Sequence, residues 1–460
     1  MDEKNPLQSP PKAPEAPRKS RFARLAARVD SLGGRIIGVA SISTWLKQHI
    51  GTSLYRNAYY LMAGAAVNSA FTFGFWAAAT HYYPADDVGL ATAAIAALGL
   101  LSSISDLGLG VGLVRFLPGA HDRGNSMVNT CFTLSSLASL VTAAVFLAGL
   151  GIWSKELLPI RQHPLFLAAF LSFAAIWTLD PQIDNVFVAR RSTKFTLVKV
   201  TILSFLRLVL ILVFAAIISG PIAIFAAAGL ALLAVTLLNL LVLVPRVQPG
   251  YRPFPMVKRD IVGMMWQYVG ANYIARTLSV ASPLVLTLMV ANVLGTKMNA
   301  YFSIPWQISS VMMMVPSSIF ASLFAEGSND EGSMRSNIRK SLKLMVMILI
   351  PIVLLILAIG DKLLLVFGRD YSEHGATFLR ISVLTSFAYG MNYLYITIGR
   401  VKKETGKILA ASAAMSALSL GLSGLLMSRM GLTGVALGWL AGQSIVALAV
   451  TIPILRQTRS

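Results

Sequence analysis

One cysteine stands in 460 residues. Cys131 lies inside an apolar run, so there is no disulfide framework and no thiol pair for zinc or redox chemistry. Histidine is scarce as well. His49, His81, His121, His163 and His374 fall far apart and form no metal-binding spacing. Charged residues make up only 13% of the chain, against about 25% in an ordinary soluble protein. Hydrophobic residues reach 56%. A chain this long and this apolar has too little polar surface to face water on all sides, and most of it must be solvated by lipid. No G-x-x-x-x-G-K-[ST] run exists, so ATP is not a direct driver. No catalytic dyad or triad stands out. The chain is expected to be no enzyme, and to need no cofactor and no metal.

What is present is a series of long apolar runs. A bilayer-spanning helix needs about 20 mostly apolar residues. Such runs cover Ala58–Tyr83, Val88–Leu113, Met127–Trp153, Leu165–Val188, Leu197–Ser219 and Ile222–Val244. A second set covers Met264–Leu294, Met298–Phe324, Leu342–Phe367, Ala376–Ile398, Ile408–Met427 and Leu432–Leu455. The runs are continuous rather than alternating, which excludes a β-barrel. The expected fold is an all-α polytopic membrane protein, with twelve transmembrane helices in two parallel six-helix bundles around a central cavity.

Acidic residues are few: 19 Asp and Glu against 39 Lys and Arg, for a formal charge of +20. Most of the basic residues fall in the N-terminal tail and in the loops on its side of the membrane. The excess therefore follows the positive-inside rule rather than marking a nucleic-acid partner. Both termini are expected in the cytoplasm of a multi-pass plasma (inner) membrane protein. The outer loops are short and leave no room for a separate domain. Met1–Pro17 is polar and proline-rich, which predicts disorder. Arg18–Arg28 (RKSRFARLAAR) reads as a short amphipathic helix on anionic headgroups.

The chain repeats itself. Tyr55 falls on Trp266, Ala70 on Ala281, Gly89 on Ala300 and Arg115 on Glu326 at one constant offset. An offset one residue shorter puts Arg190 on Arg400. Six helices per half give two halves of the same orientation, as in parallel-repeat transporters with a site between the halves. The organisation expected is a basic tail (1–57), an N-terminal lobe (58–244), a cytoplasmic linker (245–263) and a C-terminal lobe (264–460). Pro245, Pro249, Pro253 and Pro255 keep the linker from continuing as helix.

Ionisable and polar residues inside spans are costly and point to function. Arg276 lies about 18 Å into its helix at 1.5 Å per residue, with Asn272 and Ser279 on the same face. The corresponding face of the first span carries Asn68 and Thr72. The eighth span carries Ser303, Gln307, Ser310 and Ser317, and the second puts Asp106 where the eighth has Ser317. Helices 1, 2, 7 and 8 are therefore expected to line a wet cavity. Its substrate-binding set is Arg276, Asn272, Ser279, Gln307, Ser303, Asn68 and Asp106. A buried guanidinium there suits an anion, above all a phosphate. The other possibility is a structural Arg276–Asp106 bridge. Asp180, Asp184 and Arg207 form a second group at similar depth in the fourth and fifth spans. They read either as a structural ion pair or as a proton- or sodium-coupling site.

The stretch SLYRNAYYLMAGAAVNSAFTFGFWAAATHYYPADDVGLATA, followed by SDLGLGVGLVRFLPG, resembles the start of polysaccharide flippases of the multidrug/oligosaccharidyl-lipid/polysaccharide (MOP) exporter superfamily. The RN before the first span, the VG opening the second and the D-L-G-L near its end carry the likeness. The resemblance implies movement of a polyprenyl-pyrophosphate-linked oligosaccharide from the cytoplasmic to the outer leaflet, by alternating access on an ion gradient. The partners implied are the lipid-linked oligosaccharide, membrane lipids and polysaccharide assembly enzymes. The first span has no carboxylate, unlike many drug exporters of the superfamily. A multidrug/cation antiporter of the same fold is the alternative.

Overall fold

The structure is a computed structural model and describes residues 53–327, 334–402 and 404–459. The basic tail and its amphipathic helix lie outside those residues. Every regular element described is helical. The N-terminal half contains α1 (Ser53–Tyr82), α2 (Ala85–Ser105), α3 (Leu109–Phe116), α4 (Gly124–Ala148), α5 (Pro164–Ala189), α6 (Lys194–Ala215) and α7 (Pro221–Leu238). The C-terminal half contains α8 (Arg259–Leu294), α9 (Thr296–Gly327), α10 (Met334–Leu365), α11 (Arg369–Val401) and α12 (Thr405–Arg459).

Nine of the described helices are long and apolar enough to cross a membrane. One of these, α12, is two spans joined at Gly431, whose φ of 58° breaks the helix. That is where the sequence ends one apolar run and starts the next. The remaining two spans are α9 and α11. Serines, prolines, tyrosines and two asparagines, Asn299 and Asn392, dilute their apolar character, and the two helices pack on each other. Twelve spans result, as the sequence predicts. The protein is an all-helical polytopic membrane protein.

The second span is not one helix. It breaks at Asp106, where Leu107 (φ 50°) and Gly108 (φ 72°) adopt left-handed backbone before α3 resumes. The Asp106 carboxylate accepts hydrogen bonds from the Gly108 and Gly110 N–H groups, which would otherwise be orphaned at the start of a helix. Pro181 makes a second opening, in α5. A proline cannot bond back to the residue four before it. The freed carbonyl of Trp177 accepts instead from Ser102 Oγ of α2, at 3.2 Å.

The two halves meet along α2, which packs on α8 and α9. The contact between α2 and α9 joins repeat-equivalent positions. Thr92 Oγ1 and Ser303 Oγ, 211 residues apart, are 3.2 Å from each other. Asn299 donates to the Gly89 carbonyl (2.8 Å) and to Thr92 (3.0 Å). Thr296 donates to Asp86 (2.9 Å). A Cβ at Gly89 would overlap the Thr296 carbonyl, so only glycine permits this approach. Beside it, Phe75, Trp76, Val88 and Ala91 form one buried cluster with Tyr301, Phe302 and Phe378. These contacts hold α2 and α9 together at the bundle end that the charge pattern assigns to the outside.

At the opposite end the linker is extended and strapped along α4. Asn125 and Asn129 donate to the carbonyls of Pro249 and Arg252, while Thr133 and Thr130 accept from the N–H groups of Met256 and Lys258. Tyr251 is buried in this strap, which pushes its phenol pKa up. The first half of α8 then continues against the N-terminal helices. Met265 touches Cys131 (3.5 Å), and the Tyr273 hydroxyl donates to Ile104 O (2.5 Å).

Candidate functional site

Helices α1, α2, α5, α6, α7, α8 and α9 line a chamber of about 370 Å³ between the two halves. Asn68 and Thr72 project into it from α1, Arg207 from α6, and Ser303, Trp306 and Gln307 from α9. A second cavity, of about 600 Å³, lies among α8, α9, α11 and α12. It holds Arg276, Ser279, Tyr389, Tyr393, Arg400 and Gln443. Trp306 and Pro283 line both spaces and form the wall between them. A smaller apolar slot of about 250 Å³ runs between α1 and α9, past Phe73, Ile308, Val311, Met314 and Phe367.

The residues expected to form one site are thus divided. Asn68, Ser303 and Gln307 face the chamber, and Arg276 and Ser279 face the second cavity. The side chain of Asn272 lies outside the described residues. Asp106 lines neither cavity. It is consumed by the backbone at the α2–α3 break and by Gln182 Nε2 at 3.3 Å, so it is a capping group rather than a ligand group. Its other oxygen is 3.9 Å from the Arg276 guanidinium. A loose Arg276–Asp106 bridge exists, and 45% of the arginine side chain remains exposed, against 11% of the aspartate's.

Arg400 was not expected in the site. It follows Tyr389, Tyr393 and Ile396 on one face of α11, at helical spacing, and sits 5.7 Å from the Tyr393 ring. In sequence it counts as a loop cation; only the alternating steps of four and three from Tyr389 give it away.

The second ionisable group needs a correction. Asp180 and Asp184 pair with Lys199, not with Arg207. Lys199 Nζ lies 2.9 Å from Asp180 Oδ1 and 2.7 Å from Asp184 Oδ2, and donates a third bond to the Asp180 carbonyl (3.2 Å). Its side chain is 1% exposed. The reason is reach. The aspartates are one turn apart on α5, and the flexible lysine stem puts an ammonium with three donors between them. Arg207, two turns further along α6, shares their depth but points into the chamber, stacked 5.7 Å from the Trp177 ring. No group of three or more His, Cys, Asp or Glu residues poised for a metal occurs among the described residues.

The sequence model of a family described as "polysaccharide biosynthesis protein" matches residues 84–375, more than half of the chain. The chain belongs to this family. Its fold matches solved transporters of the MOP superfamily. An inward-facing multidrug resistance MATE family transporter aligns with a TM-score of 0.67 and 13% identity, over 85% of this chain and 94% of that one. An outward-facing structure of a MATE family transporter aligns at 0.62, with 14% identity, over 88% and 95%. A MOP superfamily transporter from Pyrococcus furiosus, described as having a binding pocket of reversed polarity that suggests a different function, aligns at 0.57, with 13% identity, over 88% and 95%. No curated protein sequence matches the chain significantly. In this member of the polysaccharide biosynthesis family, the charged groups facing the two cavities among the described residues are Arg207, Arg276 and Arg400.

Proposed function

We propose that the protein flips a polyprenyl-pyrophosphate-linked oligosaccharide from the cytoplasmic to the outer leaflet by alternating access, driven by an ion gradient. The observation that carries this reading is the pair of arginines, Arg276 and Arg400, in one cavity of a membrane-embedded lobe. Two guanidiniums against the single carboxylate of Asp106 leave that cavity cationic, and guanidinium binds phosphate oxygens in pairs. A drug or cation exporter would need the opposite charge. The apolar slot between α1 and α9 supports the same reading. It adjoins the chamber, sharing Asn68, Thr72, Trp76 and Gln307 with it, and gives a prenyl chain a mostly apolar surface to lie on. Family membership in polysaccharide biosynthesis agrees with the substrate class.

The test is deletion of the gene in its native host, followed by extraction of lipid-linked oligosaccharides. Completed intermediates accumulate, and the intact protein clears them. Arg276→Ala, at matched membrane expression, clears them at least about tenfold more slowly, since a hydrogen bond to a charged group contributes about 1.5–3 kcal/mol. Undiminished clearance by Arg276→Ala would remove Arg276 from the site and leave the flippase reading standing. Absence of accumulation together with raised drug sensitivity would favour the antiporter.

A further inference from the structure

Arg207 is not used by the pyrophosphate site. It lies across the Trp306 and Pro283 wall, in the other chamber. Its Nε is buried and has no hydrogen-bond partner. No carboxylate reaches ion-pair distance of it among the described residues, because Asp180 and Asp184 are held by Lys199. The side chain is half-buried and lines the chamber, so an anion bound there would supply the counter-charge that the protein does not. The space in front of it is large enough for a ligand and carries three indole walls, Trp76, Trp177 and Trp306, with the amides of Asn68 and Gln307 between them. Flat apolar faces with a few hydrogen-bonding groups suit pyranose rings, which present C–H faces and hydroxyl edges.

We propose that this chamber receives the glycan and that Arg207 binds a carboxylate on it, so that the substrate is an acidic, uronate-bearing oligosaccharide. The inference rests on the flippase reading for its carrier lipid. The shared chemistry is an anionic oxygen, which the diphosphate would also supply, and local charge separates the two. Asp180, Asp184 and Lys199 sum to one negative charge beside Arg207. That charge repels a multiply charged diphosphate more than a singly charged carboxylate. A planar carboxylate also matches the guanidinium fork through two parallel bonds. The cavity of Arg276 and Arg400 has the surplus positive charge and suits the diphosphate.

The experiment uses the purified full-length protein in lipid nanodiscs and three probes titrated calorimetrically: trigalacturonate, its fully methyl-esterified form and inorganic pyrophosphate. The acid and the ester share size and ring structure and differ in charge. Trigalacturonate is expected to bind at least about tenfold more tightly than the ester, the value of one charge-assisted hydrogen bond. Arg207→Gln removes that difference and leaves pyrophosphate binding unchanged. Arg276→Gln does the reverse. Equal binding of acid and ester by the wild type, or no binding of the acid, overturns the proposal without reliance on any variant. Loss of pyrophosphate rather than trigalacturonate in Arg207→Gln overturns it too, by assigning Arg207 to the diphosphate. If Arg276→Gln keeps pyrophosphate binding while the acid–ester contrast holds, the pyrophosphate site is wrong and this proposal survives.

Discussion

Lys199 shows how a charge count misplaces a residue. It lies near the end of an apolar run, where a basic side chain ordinarily belongs to the adjacent loop. The sequence also offers Asp180 and Asp184 a second cation, Arg207, at matching depth. Depth is legible from a helix count, but azimuth is not. Only the packing of α5 on α6 decides which cation turns inward and which faces the chamber. The resulting triad predicts a specific stability pattern. Lys199→Met leaves two carboxylates facing each other without a counter-charge. Breaking a buried pair costs about 3–5 kcal/mol. The aspartate side chains are 25% and 31% exposed, so the lower end, about 3 kcal/mol, is expected. Thermal unfolding in detergent should show the loss. Adding Asp180→Asn and Asp184→Asn to Lys199→Met should restore most of it. A single variant as stable as the wild type would mean that solvent already screens the aspartates.

Among the elements, the apolar spans were legible because length and continuity alone decide them. The break inside the second span was not, because apolar residues flank it on both sides. Asp106 then looks like a charge stranded in a helix, when it is the acceptor for the helix that follows. The linker was legible in composition, since its prolines forbid helix, but its attachment was not. Asn129 lies in an α-helical turn and looks like any polar residue at a span end. In the fold its amide donates to Arg252 O (2.9 Å), while its oxygen faces the Phe254 N–H (3.5 Å). The strap therefore depends on α4 side chains. Asn129→Leu removes these partners, and each unsatisfied backbone group costs about 1–3 kcal/mol. Trypsin cleavage after Lys258 in native membranes should accelerate several-fold in this variant. An unchanged cleavage rate would show that Thr130, Thr133 and Asn125 hold the strap without it.

At the scale of the whole molecule, the repeat read from the sequence has a physical consequence. Related halves of the same orientation place equivalent residues face to face where they cross, and Thr92 meets Ser303 there. The contact is polar and glycine-spaced, beside the apolar cluster of Phe75, Trp76, Tyr301 and Phe302. Its hydrogen bonds, from Thr296 to Asp86 and from Asn299 to Gly89 and Thr92, break and re-form at little cost when water enters. Such a contact suits a surface that must part during each cycle, whereas the strapped linker and the first half of α8 suit one that stays joined. The prediction uses Cys131→Ser as a cysteine-free background, since Cys131 is the only cysteine. Asp86→Cys and Thr296→Cys place thiols across the contact, and a short bifunctional thiosulfonate joins them. Clearance of lipid-linked oligosaccharide in the complemented deletion strain should stop on cross-linking and recover with reductant. The same reagent should leave each single-cysteine variant active. Continued clearance by the cross-linked protein would mean that α2 and α9 never separate, and the substrate would then have to leave by a path within one half.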